Sequence, residues 1–411
     1  MNTSLSPAAL EAQKSAEPAN AQLNVWLLVV AQSLGAAAPP IIISLGGIVG
    51  QMLATDPGLA TLPVSMYNLG LALSTIPAAL MMRRLGRRIG YSLGAALGLI
   101  SGLIAMVGIL QGSFLVFCLG TASAGFYGAC VQSYRFAASD AVAPTQRSRA
   151  ISRIMIGGLI AAIIGPQVVI WTRDLWPAAQ FAGSFLGQAA LALIALPVLL
   201  MLRMPPPAPE EVDGYARPLR DIAGHFRFIV AVTSGVVSYG LMALVMTAAP
   251  MAMVAYGHSV GDAALGIQWH VLAMFGPSFI TGHLIQRFGK ITITALGLVL
   301  IAVSGFMALA GLDLLHFWGS LILLGIGWNF GFIGATAMVT DCYTSPERAK
   351  VQAINDFMVF GTVAVASFGS GRLLTLSGWE LINWLMMPII AVVLAMLAWQ
   401  AVHDRRKASL R

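Results

Sequence analysis

The sequence contains few charged residues and few cysteines. Only 9% of its 411 residues are Asp, Glu, Lys or Arg, whereas 58% are hydrophobic. An average soluble domain has roughly 25% charged residues. The three cysteines, Cys118, Cys130 and Cys342, are widely separated and form neither a metal-binding spacing nor a disulfide framework. The composition therefore excludes an ordinary soluble protein and a disulfide-rich secreted domain.

Motifs of other functional classes are missing as well. No Gly-rich loop is followed by Lys and Ser or Thr, so we do not expect ATP to drive an activity. Residues 1–23 lack the basic region and the cleavage site of a signal peptide, so the first apolar stretch is expected to be retained. We expect no enzymatic activity and no cofactor. The net charge of +7 does not indicate nucleic acid, because orientation in a membrane explains it.

Long apolar stretches make up most of the chain. There are about twelve of them, each of roughly twenty residues, which is the length that crosses a lipid bilayer as a helix. Their hydrophobicity does not alternate with a period of two, as it would in a membrane β-barrel. The sequence therefore predicts an all-α membrane protein with twelve transmembrane helices.

A polar segment divides these helices into two groups. The stretch MPPPAPEEVDGYARPLRD, from Met204 to Asp221, is rich in proline and charge, as is typical of a solvated linker. Within the first predicted span, Pro39 and Pro40 should break or kink the helix. We predict five segments: a tail over residues 1–23, a six-helix half over 24–203, a linker over 204–227, a second six-helix half over 228–402, and a tail over 403–411.

Basic residues indicate the orientation. If both termini are cytoplasmic, all Lys and Arg residues except Arg173 and Arg372 fall on the cytoplasmic side. Cytoplasmic loops of membrane proteins carry an excess of these residues. We therefore predict that both termini and the linker are cytoplasmic.

The two halves repeat each other. Arg84-Leu85-Gly86-Arg87, after the second span, recurs as Arg287-Phe288-Gly289-Lys290 after the eighth. We call these two segments the basic turns. Asp140, after the fourth span, recurs as Asp341 after the tenth. Two six-span halves in parallel repeat, joined by a long linker, resemble the major facilitator fold.

The basic turns differ from the loop signature of that superfamily at one position. Arg83 and Gln286 stand where the signature has an acidic residue, so the turns lack their own carboxylate. We expect the cations to act on membrane insertion and on closing the cytoplasmic side. The gating residues predicted in this way are Arg84, Arg87, Arg287 and Lys290.

Two residue pairs in the seventh and eighth spans are candidates for a binding site. Met242 and Met246 are four residues apart, as are His270 and Met274, so each pair lies on one face of its helix. A short turn joins the two helices, which places the pairs at similar depth. Thioethers and imidazole suit Cu(I), and a buried histidine could equally bind an organic substrate or a proton. Methionines also commonly fill gaps in apolar packing.

Aromatic and amide residues suggest a second kind of ligand. In the repeat, Tyr67 of the second span aligns with His270 of the eighth, and Tyr67 is followed by Asn68. The fourth span contains Tyr127, and the tenth contains Trp328 and Asn329. Aromatic faces beside hydrogen-bonding amides suit a planar heterocycle, although such residues also pack helices together.

The methionine and histidine pairs resemble those of two branches of bacterial importers. CcoA-like transporters import copper for haem–copper oxidase assembly, and RfnT-type transporters import riboflavin. The copper branch is also understood to use cysteines in the first half and near spans 7 and 8. Here no cysteine precedes Cys118 or lies between Cys130 and Cys342, which favours the riboflavin branch.

The resemblance implies a secondary active importer of the bacterial inner membrane that works by alternating access. The leading substrate is riboflavin and the alternative is Cu⁺, and the protein is expected to be a monomer in the lipid bilayer. The predicted substrate-binding residues are Tyr67, Asn68, Tyr127, Met242, Met246, His270, Met274, Trp328 and Asn329. In the copper alternative, the metal ligands are Met242, Met246, His270 and Met274.

Overall fold

The computed structural model describes residues 7–143, 146–204 and 217–409, and these ranges contain helices and turns but no strand. The all-α class predicted from the apolar stretches is therefore confirmed. A helix is the expected element, because it satisfies every backbone hydrogen bond within one segment of a lipid-embedded chain.

The described residues up to position 204 form seven α-helices and a short 3₁₀ turn over Pro57–Leu59. The helices are α1 (Pro7–Gly35), α2 (Ala38–Leu53), α3 (Leu62–Leu110), α4 (Phe114–Gln132), α5 (Tyr134–Asp140), α6 (Arg147–Thr172) and α7 (Ala182–Leu200).

The described part of the linker and the second half contain seven more α-helices. They are α8 (Leu219–Ala223), α9 (Phe226–Ala255), α10 (Val260–Phe275), α11 (Ser278–Phe288), α12 (Lys290–Ala310), α13 (Leu314–Val339) and α14 (Arg348–Ser409).

The first span is interrupted as the prolines predict. Helix α1 ends at Gly35 and α2 begins at Ala38, with Pro39 and Pro40 in its first turn. Proline is tolerated there because the first backbone N–H groups of a helix have no partner within the helix. Helix α1 begins at Pro7, well before the boundary near Asn24 that hydropathy predicts.

Two helices are too long to be single spans. The apolar segments Pro57–Leu110 and Lys350–Asp404 contain 54 and 55 residues, or about 80 Å of helix at 1.5 Å per residue. Each contains one glycine with a positive φ, Gly86 (φ 79°) and Gly378 (φ 77°). These glycines lie where the sequence places a boundary between consecutive spans.

In the described residues, nine helices are long and apolar enough to span a membrane, or ten if the bent pair α10 and α11 is counted as one span. The count of twelve stays a prediction, and the two glycine breaks support it.

The eighth apolar stretch does not form one continuous helix. Helices α10 and α11 meet at an angle of 43°. Pro277 lies at the junction, and because proline has no N–H and its ring clashes with the preceding turn, it breaks the helix. The span begins with a capping box in which Ser259 and Asp262 bond each other's backbone N–H groups.

The repeat seen in the sequence recurs in the backbone of the basic turns. Gly86 (φ 79°, ψ 159°) and Gly289 (φ 87°, ψ 154°) adopt the same conformation. Only glycine adopts this conformation readily. We call the side of the molecule that carries these turns the basic side, and the other the opposite side.

The contacts between the two halves are most extensive in three pairs of helices, α6 with α10, α3 with α14, and α2 with α9, and α2 also contacts α10. Within the second half, α12 and α13 approach closely, because Gly297 and Gly331 present no side chain at the contact. Each half therefore packs as a bundle, and a cavity is left between them.

Candidate binding cavity between the two halves

A cavity lies at the centre of the molecule, where helices from both halves converge. No residue that lines it is charged. The lining consists of Gln32, Gly35, Ala36, Pro39, Pro40, Ile43, Tyr67, Asn68, Leu71, Gly128, Val131, Gln132 and Gly158 from the first half, and Tyr239, Met242, Ala243, Met246, Val271, Met274, Phe275, Phe360 and Val363 from the second.

Five of the nine predicted binding residues lie on this cavity. Met242 and Met246 from α9 and Met274 from α10 line it together, so the two helices bring these thioethers to one place. Tyr67 and Asn68 line it from α3. The side-chain amide of Asn68 also donates a hydrogen bond of 3.0 Å to the Ser367 hydroxyl in the other half.

His270 is not among the lining residues. It is fully buried, and its Nδ1 lies 2.7 Å from the Leu321 carbonyl oxygen of α13. Because a carbonyl oxygen only accepts, Nδ1 carries a proton. Nε2 has no hydrogen-bond partner among the described residues. The i, i+4 spacing thus brings Met274 to the cavity and directs His270 towards α13.

Asn329 is also buried away from the cavity and is bonded to the break in the eighth span. Its amide nitrogen donates to the Met274 carbonyl oxygen (2.6 Å) and to the Ser278 hydroxyl (2.7 Å). Its amide oxygen accepts from the Thr281 hydroxyl at 2.5 Å. The break leaves the carbonyl of Met274 free for a side-chain donor, and Asn329 supplies that donor.

Trp328 belongs to an aromatic cluster behind the cavity wall. It stacks on Phe332, with ring centroids 5.3 Å apart, and meets Tyr239 edge to face at 5.2 Å. Tyr239 in turn contacts Phe360 at 5.8 Å. Tyr239 and Phe360 line the cavity and Trp328 does not, so Trp328 supports an aromatic wall.

Tyr127 lies inside the first half. Its ring occupies the space beside Gly98, where a Cβ atom would come within 2.3 Å of it, and its hydroxyl lies behind Gly35. Gly35 lines the cavity, so Tyr127 packs against the outer face of that wall.

Sequence reasoning missed several lining residues, above all Gln32, Gln132, Tyr239 and Phe360. The glutamines carried a usable signal, because polar side chains within apolar spans are uncommon and tend to face the bundle interior. Tyr239 lies three residues before Met242 and therefore shares its face of α9. Phe360 carried no comparable signal.

Bonds between the two halves close the cavity on the opposite side, and a separate cleft lies on the basic side. On the opposite side, the Thr61 hydroxyl donates to the Phe368 carbonyl oxygen (3.2 Å) and accepts from the Gly371 N–H (3.2 Å). These bonds join the two halves. On the other side, Phe360 lines both the cavity and a cleft between α3 and α14 that extends to Arg83.

Two of the four predicted gating cations form an ion pair, one in each half. Arg87 pairs with Asp140, and Lys290 pairs with Asp341 at 2.6 Å. The basic turns therefore have acidic partners after all, from the loop that follows the fourth or tenth span. The guanidinium of Arg287 lies over the ring of Phe288, and Arg84 forms no ion pair with another described residue.

The donor set at the cavity includes thioethers but lacks the imidazole that the copper alternative requires. Three methionines line it, whereas His270 and the three cysteines do not. Nowhere in residues 7–143, 146–204 and 217–409 do three His, Cys, Asp or Glu side chains form a group that could hold a metal.

The fold and the cavity define a class of protein. A helical protein with multiple membrane spans, whose two repeated halves enclose a central cavity closed on one side, has the architecture of a transporter. The family model described as Major Facilitator Superfamily matches residues 25–333 and 231–410, and the chain belongs to that superfamily. It is a transporter and not an enzyme.

Curated relatives agree with this assignment. The chain is 64% identical over 376 residues to "Riboflavin transporter RfnT" of Brucella anthropi, covering 91% of this chain and 94% of the relative. It is 28% identical over 395 residues to "Uncharacterized MFS-type transporter YdeG" of Bacillus subtilis, covering 91% and 90%. A second Bacillus subtilis relative, "Uncharacterized MFS-type transporter YddS", is 26% identical over 405 residues, covering 93% and 92%.

Proposed function

We propose that this protein imports riboflavin across the bacterial inner membrane by alternating access. The observation that carries the proposal is the central cavity, which is lined by aromatic, aliphatic and carboxamide side chains and by no charged residue. Riboflavin is a neutral molecule with a planar ring system and a polar chain, and such a lining suits it. The high identity to a riboflavin transporter supports the same substrate.

In this proposal, different side chains of the cavity bind different parts of riboflavin. Tyr239, Phe275 and Phe360 offer aromatic faces to the ring system. Gln32, Asn68 and Gln132 offer donors and acceptors for its polar groups. The two halves, residues 24–203 and 228–402, rock around the bound substrate and expose it to each side in turn.

Uptake measurements test the substrate. Proteoliposomes that contain the purified protein should accumulate riboflavin, and an excess of flavin mononucleotide should not compete. The reason is that its phosphate carries about −1.5 to −2 charges, which the uncharged cavity cannot pair. Growth of a riboflavin auxotroph without its own importer should be restored on limiting riboflavin. Copper accumulation without riboflavin uptake would contradict the proposal.

The orientation belongs to the same proposal, with both termini and the linker cytoplasmic. The excess of basic residues on the basic side supports it. A reporter enzyme fused within residues 204–221 should be active in the cytoplasm, and one fused at the turn from His258 to Asp262 should be active in the periplasm. Reversed activities would contradict the orientation.

A further inference from the structure

Gln32 has an unusual position in the wall of the cavity. It lies on α1 one turn before the helix ends at Gly35, and it lines the cavity. Its side-chain stem packs against Gly157 of α6, where an added Cβ atom would lie 2.9 Å from the Cβ and 3.1 Å from the Cγ of Gln32. The absence of a side chain at Gly157 makes room for the stem.

The carboxamide of Gln32 is incompletely bonded. Its Oε1 atom is buried and has no hydrogen-bond partner among the described residues. Asn68, another carboxamide of the cavity, already donates to Ser367 across the halves. A buried acceptor without a partner is unfavourable, so a ligand that donates to it gains specificity from that bond.

The flavin ring has one edge that matches such a group. On this edge an imide N–H lies between two carbonyl groups. A carboxamide has an acceptor and a donor in one plane, and can therefore accept from the N–H and donate to a neighbouring carbonyl. We infer that Gln32 recognises the imide edge of the flavin ring through these two hydrogen bonds, an inference that rests on the proposed function.

Because both atoms of the carboxamide take part, the pairing does not depend on which of them is assigned as oxygen. The aromatic and methionine side chains of the second half then contact the faces of the ring. Gln32 is thus a specificity-determining residue of the first half, and the second half supplies most of the apolar contact.

Binding of two flavins to the purified full-length protein tests the inference. Riboflavin and 3-methylriboflavin differ only in a methyl group that replaces the imide hydrogen. The wild-type protein should bind 3-methylriboflavin about tenfold more weakly, because one bond is lost and Oε1 is left unpaired. Gln32→Met should bind riboflavin about tenfold more weakly than wild type and should discriminate less than twofold between the two flavins.

Gln188 provides a matched control. It is also buried with an unpartnered Oε1, but it lies on α7 and does not line the cavity. Gln188→Met should leave both affinities unchanged. Gln32→Glu, which keeps the length of the side chain but has no N–H donor when ionised, is a second variant and should also lose affinity for riboflavin.

The outcomes separate the two proposals. Equal affinities of the wild-type protein for the two flavins would overturn the inference, as would a Gln32→Met variant that still discriminates tenfold. If Gln32→Met does not fold, the wild-type comparison and Gln32→Glu decide. A wild-type protein that binds neither flavin would instead refute riboflavin as the substrate.

Discussion

At the scale of single residues, Asn329 connects the tenth span to the wall of the cavity. Its three hydrogen bonds all go to the break in the eighth span, and one of them holds the carbonyl of Met274. Met274 lines the cavity. A side chain that does not touch the cavity therefore determines where one of its walls lies.

We predict that Asn329→Leu lowers the stability of the protein by about 1–3 kcal/mol, because it leaves buried polar groups unpaired. Thermal unfolding in detergent measures the effect, and the affinity for riboflavin should fall as Met274 shifts. Asn383→Leu is the matched control, since Asn383 donates only to a carbonyl one turn back in its own helix. Equal losses in the two variants would contradict a special role of Asn329.

We predict that Met246→Leu changes riboflavin uptake by less than about twofold. The substitution keeps volume and apolarity, so its packing cost should stay below about 1.5 kcal/mol. Met246 lines the cavity, and a severe loss of transport would show that the sulfur itself is needed. Uptake of labelled riboflavin and of copper, measured in parallel, distinguishes a packing role from a ligand role.

Spacing in the sequence predicts which residues share a helix face, and for Met242, Met246 and Met274 that was enough to find the cavity. It cannot predict which neighbour each face meets. His270 turns to the Leu321 carbonyl, and Asn329 turns to the helix break. Both contacts depend on how α10 and α13 pack, and no local pattern records this.

At the scale of elements, the two basic turns show that the repeat extends to backbone angles. Gly86 and Gly289 adopt matching conformations, and each is followed by a cation that pairs with an aspartate from the same half. These ion pairs attach each turn to the end of the fourth or tenth span. The ion pairs should therefore mainly increase the rigidity of each half.

We predict that Gly86→Ala and Gly289→Ala each destabilise the protein by about 1–3 kcal/mol, because alanine is strained at these angles. Steric overlap is not the reason, since nothing lies within 4 Å of an added Cβ atom at either position. Gly282→Ala is the matched control: Gly282 is equally open but lies within the regular helix α11. There alanine should be stabilising by up to about 1 kcal/mol. A similar loss at all three positions, measured by thermal unfolding, would contradict the prediction.

A second element-scale feature is the attachment of the linker to the second half. The buried Glu347 accepts hydrogen bonds from the backbone N–H of Arg217 (3.0 Å), from its Nε (2.6 Å) and Nη2 (2.9 Å), and from the Thr344 N–H (2.8 Å). The Arg217 side chain lowers the pKa of the Glu347 carboxyl well below its usual range, with the Thr344 N–H as a further cause.

We predict that this contact makes stability depend on pH. A carboxyl whose pKa is lowered in the folded state contributes stability above its unfolded pKa of about 4.3, and the contribution is lost as the pH falls below that value. Glu347→Gln should therefore lower the thermal midpoint at neutral pH, with a difference that narrows below about pH 4.3. Glu380→Gln, an exposed glutamate with no ion pair to another described residue, should show neither effect.

At the scale of the whole molecule, the bonds of Thr61 to Phe368 and Gly371 close the opposite side. An added Cβ atom on Gly371 would lie 2.5 Å from Thr61 Oγ1 and 3.0 Å from Thr61 Cβ. A methyl group at Gly371 therefore displaces the Thr61 side chain and loosens this contact between the two halves.

We predict that Gly371→Ala shifts the protein towards a state that is open on the opposite side. A cysteine at Asn68 should then react faster with an impermeant maleimide added from that side, in a background without the three native cysteines. Gly369→Ala is the matched control, because nothing lies within 4 Å of an added Cβ atom there. Equal labelling rates in the two variants would argue against Gly371 as a closure contact.

The repeat of the basic turns could be predicted from sequence, and the matching backbone angles of Gly86 and Gly289 agree with it. The side on which the cavity is closed could not be predicted from the sequence. Which side is closed depends on contacts such as that between Thr61 and Gly371, which are far apart in the chain and contain no repeated pattern.

The uncharged lining of the cavity has an electrical consequence. If the two halves rock as proposed, the side chains that line the cavity move no net charge across the membrane. Moving one elementary charge across a membrane potential of 100 mV changes its energy by about 2.3 kcal/mol. The lining of the cavity contributes no such charge. Reorientation of the empty carrier, and of the carrier with a neutral substrate, should be electrically silent. Any dependence of uptake on membrane potential would then come from a co-transported ion.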